Sequence, residues 1–190
     1  MERPVIETRR LLLRPLEMSD AADVQRLAGD RAIADTTLNI PHPYEQGMAE
    51  RWIASHQPEF EAGRLCNFAI TRRKRGELIG AIGLRRLEAA ETAELGYWLG
   101  VPFWNSGYCT EAAVAVVAFG FEELGLRRVQ AHHLLRNPAS GRVLVKAGLR
   151  REGVARQEFR KGERHEDIVL YGIGRDEWQR RWPAGTAPAG

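Results

Sequence analysis

The sequence predicts an α/β (α+β) sandwich, in which helices pack on a central sheet. Two observations carry this: apolar stretches of period two alternate with stretches of helical period along the chain, and no internal repeat is visible. Its 190 residues suit one domain with a substantial core. Residues 1–182 are assigned to that domain, and the Pro/Gly/Ala segment 183–190 to a flexible tail.

Val5 to Pro15 reads as an opening strand, after which Ser19 or Asp20 can cap a helix carrying Ala21, Val24, Leu27 and Ala28 on one side. Asp30 to Pro43 has little periodicity and two prolines, which predicts a loop. A second helix is expected from Tyr44 to about Gln57, with Met48, Trp52 and Ile53 on it and Pro58 ending it; loop and helix would wall a substrate groove. Strands follow at Cys66–Thr71 and Leu78–Leu87, joined by a turn over 73–76, and then at Ala93–Gly100. Beyond them come a strand at Arg128–Leu134, a short helix at Ser140–Ala147, and a hairpin of Val154–Phe159 with Arg164–Ile173, turning at Lys161-Gly162.

The stretch from Tyr97 to Ala112 is the most informative, because it runs a strand through a glycine-bearing turn into a helix. Unpaired N–H groups at a helix start, together with the helix dipole, cradle a phosphate or pyrophosphate. Gly107 permits close backbone approach. Thr110 can cap a helix whose Ala113, Val114, Val117, Ala118, Phe121 and Leu124 share a face, with Gly125 as its stop. Neither the nucleoside-triphosphate P-loop pattern nor the three-glycine dinucleotide fingerprint is present.

Trp104-Asn105-Ser106-Gly107-Tyr108-Cys109 resembles the coenzyme A pyrophosphate loop of the GCN5-related N-acetyltransferases (GNAT), Q/R-x-x-G-x-G/A, with Trp104 and Cys109 departing from it. The wider Tyr-x-Thr-Glu-Ala string is similar to the RimJ/RimL-like branch, which acetylates ribosomal-protein N-termini. So are the opening over residues 7–24, Asn137 to Gly148, and Gly162 to Tyr171. The resemblance covers roughly residues 7–180 and implies the GNAT fold. That fold is a mixed, mostly antiparallel twisted sheet, splayed at the acetyl-CoA site and flanked by helices. It also implies acetyl-CoA as co-substrate with no metal, and a protein N-terminus as acceptor. Tyr97, Trp98 and Leu99 would meet the pantetheine arm through their backbone. Asn105, Ser106, Gly107, Tyr108, Cys109 and Thr110 would hold the pyrophosphate, and Asn137 the pantetheine amides. Monomer or homodimer is usual in such folds.

Acetyl transfer from a thioester needs positioning, a base for the amine, a donor to the carbonyl oxygen and help for the departing thiolate. His132 stands where related enzymes carry a Glu base, and a free imidazole pKa of about 6.5 suits proton acceptance near neutrality. Glu94, on the same strand face as Trp98, is the other candidate; the bland readings are a packed strand histidine for His132 and a half-exposed strand carboxylate paired with a cation for Glu94. Many members of the GNAT family protonate the thiolate with a tyrosine whose position here is Leu144. The RimJ/RimL-like branch resembled here places a Ser that can reach the sulfur, which implies Ser140 as the substitute, a residue that also reads as an N-cap. Cys109 is considered as an acetyl carrier and set aside, since its family position faces the pyrophosphate.

His165 and Asp167 give too few ligands for zinc and suit hairpin stabilisation or the acceptor groove. Arg72, Arg73, Lys74 and Arg75 read as a solvated turn, with contact to the cofactor's 3′-phosphate or a nucleic acid as the alternative. Net charge is +3, from 28 Lys+Arg against 25 Asp+Glu, a mild excess that suits an anionic cofactor and argues against a nucleic-acid binder. The start lacks an apolar h-region and no window approaches ~18 apolar residues, so neither secretion nor a membrane span is expected. Cys66 and Cys109 read as reduced thiols of a cytoplasmic protein. Two rivals stand beside this reading. One is an enzyme for a polyamine, amino sugar or antibiotic, which would need an acidic groove from Glu45, Glu50, Glu59 and Glu61. The other is a coenzyme A-binding sensor or nucleic-acid module without turnover.

Overall fold

The computed structural model describes residues 2–87 and 91–182; the expected tail at 183–190 lies outside them. Among the described residues, eight strands form one sheet in the order β1-β2-β3-β4-β5-β6-β8-β7. They are β1 (Ile6–Glu7), β2 (Leu11–Arg14), β3 (Leu65–Arg72), β4 (Leu78–Arg86), β5 (Thr92–Leu99), β6 (Arg128–Leu134), β7 (Arg150–Lys161) and β8 (Arg164–Gly174). All neighbours are antiparallel except β5 and β6. The expected single opening strand is a hairpin, because Thr8 N–H donates to the Leu11 carbonyl and folds residues 8–11 back.

Helices cover both faces. α1 (Ala21–Ala28), α2 (Arg31–Thr36) and α3 (Met48–Ala54) pack a core of Leu16, Val24, Leu27, Ile33 and Ile53 against Leu78 and Trp98. On the other face α5 (Tyr108–Glu122) buries Ala112, Ala113, Val116, Val117 and Phe121 against Phe68, Ile82, Leu84 and Leu95. Each fully buried Val, Leu, Ile or Phe side chain among these contributes roughly 1.5–3 kcal/mol. Residues 78–84 of β4 are therefore buried without interruption, as a strand covered on both faces must be. Gly120 lets α5 approach β4, since a Cβ there would stand 2.9 Å from Leu84 Cδ1.

Several expected boundaries are corrected. Asp20 does not cap α1; its carboxylate accepts from Arg14 at 2.7 Å and from the Glu17 N–H at 2.8 Å. The expected loop over 30–43 contains α2, capped by the Asp30 side chain. The helix expected over 44–57 is two short ones, α3 and α4 (His56–Glu61). Pro58 lies within the first turn of α4, where its missing N–H costs no helical bond. Thr110 is the third residue of α5, whose N-cap is Gly107 with no capping side chain. The buried stripe of α5 runs through 112, 113, 116, 117, 120 and 121, leaving Val114, Ala118 and Leu124 only partly covered. α6 (Pro138–Lys146) begins before Ser140, and its cap is Asn137, whose Oδ1 accepts the Ser140 N–H. α7 (Arg175–Arg181) closes the described chain.

Candidate active site

The site arises where the one parallel pair comes apart. β5 and β6 are in register only at Thr92↔Arg128, Ala93↔Val129 and Glu94↔Gln130. Beyond Glu94, β5 stays on β4 while β6 continues on β8. Gly100 N–H donates to Ile79 on the β4 side, and N–H groups alternate from edge to edge along a strand. The amides of Tyr97 and Leu99 therefore face the opening, whereas that of Trp98 faces β4. The Leu99 carbonyl on the open side is held by Trp104, whose indole N–H donates to it at 2.6 Å.

Two cavities flank the open strand. The larger, about 580 Å³, lies under α1, α3 and the segment 36–41, and its wall includes Tyr44, Met48, Trp52, Arg85, Glu94 and His132. The smaller, about 320 Å³, lies at the start of α5 and is walled by Leu99, Asn105, Gly107, Cys109, Thr110, Asn137, Arg142 and Lys146. Thr36, Thr37, Tyr97, Trp98 and Ser140 belong to both walls. Ser106 and Tyr108 are not among the lining residues. The Ser106 carbonyl accepts from Arg10, and that guanidinium lies 4.5 Å from the centroid of the Tyr108 ring.

At the smaller cavity the turn has the geometry that can cradle an anion. Gly107 has φ +78°, and Asn105 shares the left-handed region at +58°. With no side chain capping α5, its first-turn N–H groups have no intrahelical carbonyl to meet. Arg142 and Lys146, one turn apart on α6, add two cations to the opposite wall. The sequence reading missed them, although their spacing of four on a helix was visible. In the Arg72–Arg75 cluster, Arg72 pairs with Glu77 and Arg73 with Glu7, and the Arg72 guanidinium lies 5.9 Å from the centroid of the Tyr108 ring. Burial pushes the Cys109 thiol up to about 12, which keeps it neutral.

In the larger cavity the two candidate bases form one pair, with His132 Nδ1 3.3 Å from Glu94 Oε2. The hydrogen bond from His132, against the opposing effect of burial, holds the Glu94 carboxyl below its usual range, with smaller help from the His132 charge and from Arg85. An ionised carboxylate on Nδ1 favours the imidazole tautomer with its lone pair on Nε2. None of Glu45, Glu50, Glu59 and Glu61 lines this cavity. Glu59 is engaged by Arg64 at 2.6 Å and lies 3.9 Å from Arg85, and Glu61 accepts from Gln57. His165 and Asp167 sit at the bulge of the β7–β8 hairpin, where Asp167 Oδ1 accepts the N–H of Gln157 at 2.9 Å.

Between the cavities, Tyr97 Oη lies 2.8 Å from Ser140 Oγ and donates to the Ser140 carbonyl at 3.1 Å. Both ends of the Asn137 amide are engaged, Oδ1 as the cap of α6 and Nδ2 as a donor to the Thr36 carbonyl at 3.0 Å. Thr36 is part of a wider tether. Lys161, at the tip of the β7–β8 hairpin, donates to the carbonyls of Ala34 and Thr37, and Arg136 donates to that of Asp35. Four consecutive carbonyls at the end of α2 thus receive donors from the far side of the cleft, two of the three being cations suited to a helix C-terminus.

The opening segment and the Tyr-x-Thr-Glu-Ala string, separate in sequence, meet at Glu111. This buried carboxylate accepts from Thr8 Oγ1 at 2.6 Å, from the Arg10 N–H at 2.7 Å and from Arg10 Nε at 2.6 Å. Burial raises its pKa, but these donors outweigh burial and leave it below the usual range. A carboxyl lowered in this way stabilises the fold above the unfolded pKa of about 4.3, and the contribution is lost as pH falls below that. Glu111→Gln is expected to lower stability by about 1.5 kcal/mol at neutral pH, the scale of a hydrogen bond to a charged group. The difference from wild type should shrink in denaturant titrations near pH 3. A difference independent of pH would show that the charge contributes nothing.

A sheet split between two parallel strands, with an uncapped helix start on one side and an ionisable pair on the other, offers room for two ligands side by side. Residues 10–150 match the Acetyltransferase (GNAT) domain. The chain is 33% identical over 172 residues to the N-acetyltransferase YoaA of Bacillus subtilis, covering 90% of this chain and 96% of the relative. It is 32% identical over 99 residues to the ribosomal-protein-serine acetyltransferase of Escherichia coli, covering 52% of this chain and 55% of the relative. The structure of RimJ from Mycobacterium smegmatis in complex with CoA-disulfide superposes with a TM-score of 0.83 at 22% identity, covering 93% of this chain and 91% of that one. The chain belongs to the GNAT acetyltransferase family and is an N-acetyltransferase. Among the described residues no helix is long and apolar enough to cross a membrane.

Proposed function

We propose that the protein transfers an acetyl group from acetyl-CoA to the N-terminal amino group of a protein, by direct attack in a ternary complex. The observation that carries this reading is the pair of cavities meeting at Tyr97, Trp98 and Ser140. They let donor and acceptor be bound together, with the reacting atoms at the splay. The pyrophosphate sits on the cradle of residues 105–110, the 3′-phosphate end lies toward Arg142 and Lys146, and the pantetheine arm pairs with the Tyr97 and Leu99 amides. Asn137 orders the α6 end of that cavity.

His132 Nε2 takes the proton of the attacking amine, with Glu94 fixing the tautomer and stabilising the imidazolium that forms. A backbone N–H of β5 receives the charge that develops on the thioester oxygen. Ser140 Oγ–H donates to the sulfur as the C–S bond breaks.

The acceptor cavity favours a protein N-terminus over a polycation. Glu94 is the only carboxylate among its described lining residues, it is engaged by His132, and Arg85 stands in the same wall. A single α-ammonium with an uncharged body suits that field; spermidine-like chains need several carboxylates. Similarity to the ribosomal-protein-serine acetyltransferase supports the same acceptor class. Coenzyme A release is the measurement, screened over N-terminal peptides of varied first residue, polyamines and aminoglycosides. We expect turnover with a subset of peptides at kcat/KM at least tenfold above any polyamine. Turnover with polyamines or aminoglycosides alone would replace this acceptor with a small amine.

A further inference from the structure

We propose that Tyr97 is a positioning residue for the departing thiolate: its phenol hydroxyl sets the direction in which the Ser140 hydroxyl donates. The inference rests on Ser140 serving as donor to the coenzyme A sulfur. Its basis is the contact of Tyr97 Oη with two oxygens of one residue, 2.8 Å to Ser140 Oγ and 3.1 Å to the Ser140 carbonyl. A phenol has one proton to donate and can also accept. While that proton lies on the carbonyl, Ser140 must point its own at Oη to keep the short contact, and it has none for the cavity. When the phenol proton turns onto Oγ, the serine proton is released toward the smaller cavity, whose wall both residues share. Tyr97 can therefore follow a rotation of Ser140 without leaving an unsatisfied oxygen behind.

No other hydroxyl takes this place on α6, where Leu144 is fully buried in the core. Burial, the largest effect, raises the Tyr97 pKa well above that of an ordinary phenol, so the group stays a neutral donor across the working pH range. Neither hydroxyl gives up its proton in the step. As the tetrahedral adduct collapses, the C–S bond breaks and its electron pair settles on sulfur, which accepts the Ser140 hydrogen bond. Tyr97 donates to Ser140 Oγ and strengthens that bond cooperatively. The thiolate then takes a proton from solvent, balancing the one that His132 received from the amine.

The test is a double-mutant cycle over Tyr97→Phe and Ser140→Ala, read by single-turnover kcat and by the Kd of acetyl-CoA from calorimetry. Tyr97→Phe keeps the ring, and a thermal melt checks that each variant is folded. Each single variant is expected to lose about tenfold in rate, the scale of one hydrogen bond, with Kd within about twofold. The double variant should be no slower than Ser140→Ala, because the phenol acts only through the serine. Additive losses, or a Tyr97→Phe protein at wild-type rate beside a slow Ser140→Ala, would overturn the inference and leave Ser140 as the donor. A Ser140→Ala protein at wild-type rate would overturn the donor reading itself, and with it the role of Tyr97. A loss confined to Kd would make Tyr97 a cofactor-packing residue and equally overturn the proposal.

Discussion

Replacing His132 with Ala is expected to lower kcat/KM by roughly 10², the scale of a lost general base. The parallel ladder ends at Glu94↔Gln130, so His132, two residues further along the same face of β6, leans over the last paired rung onto Glu94. An imidazole so placed has a carboxylate on one nitrogen and the larger cavity before the other, which is the arrangement a base needs. Glu94→Gln should cost about tenfold, since an amide on Nδ1 neither stabilises the imidazolium nor fixes the tautomer as firmly. If Glu94→Gln is the slower variant and His132→Ala stays near the wild-type rate, the carboxylate is the base.

Gly107→Val is expected to weaken acetyl-CoA binding at least tenfold, about 1.4 kcal/mol. Two strains combine. At φ +78° a β-branched residue is held in the left-handed region, and its Cβ would lie 3.3 Å from Arg10 Nη2 before either γ-methyl is placed. Relief requires residues 105–108 to move, which turns the N–H groups of the first α5 turn away from the pyrophosphate. Gly107→Ala carries the backbone strain without the branching and should fall between the two. Calorimetry on folded protein decides the matter: unchanged Kd in Gly107→Val would place the cradle elsewhere.

The strand-turn-helix of 97–112 was legible because strand period, glycine and helical period follow one another within sixteen residues. The elements around the acceptor were harder. α2 spans only Arg31–Thr36, and its cap Asp30 lies in a stretch without enough periodicity to register as a helix. The break between α3 and α4 at Ser55 has no glycine or proline to mark it, while Pro58, the visible breaker, sits harmlessly in the first turn of α4. Pairings across the splay were beyond sequence reading altogether. His132 and Glu94 appeared as alternatives because nothing local reveals a parallel register set by a crossover through α5. Tyr97 and Ser140, 43 positions apart, meet for the same reason. The Thr8–Arg10–Glu111 cluster shows the converse: its two segments were each legible, and only their contact was missing.

Thr36 and Thr37 stand in the walls of both cavities, on a segment held by Lys161, Arg136 and Asn137 from across the cleft. A ligand that shifts this segment changes the shape offered to the other ligand. Thermodynamic linkage then makes the effect mutual, the acceptor altering cofactor affinity by the same factor as the cofactor alters acceptor affinity. Two of the three tethering donors, Lys161 and Arg136, line neither cavity, so residues outside both can change that coupling. The tip of a distant hairpin is thus a place from which the affinities of the two cavities can be coupled.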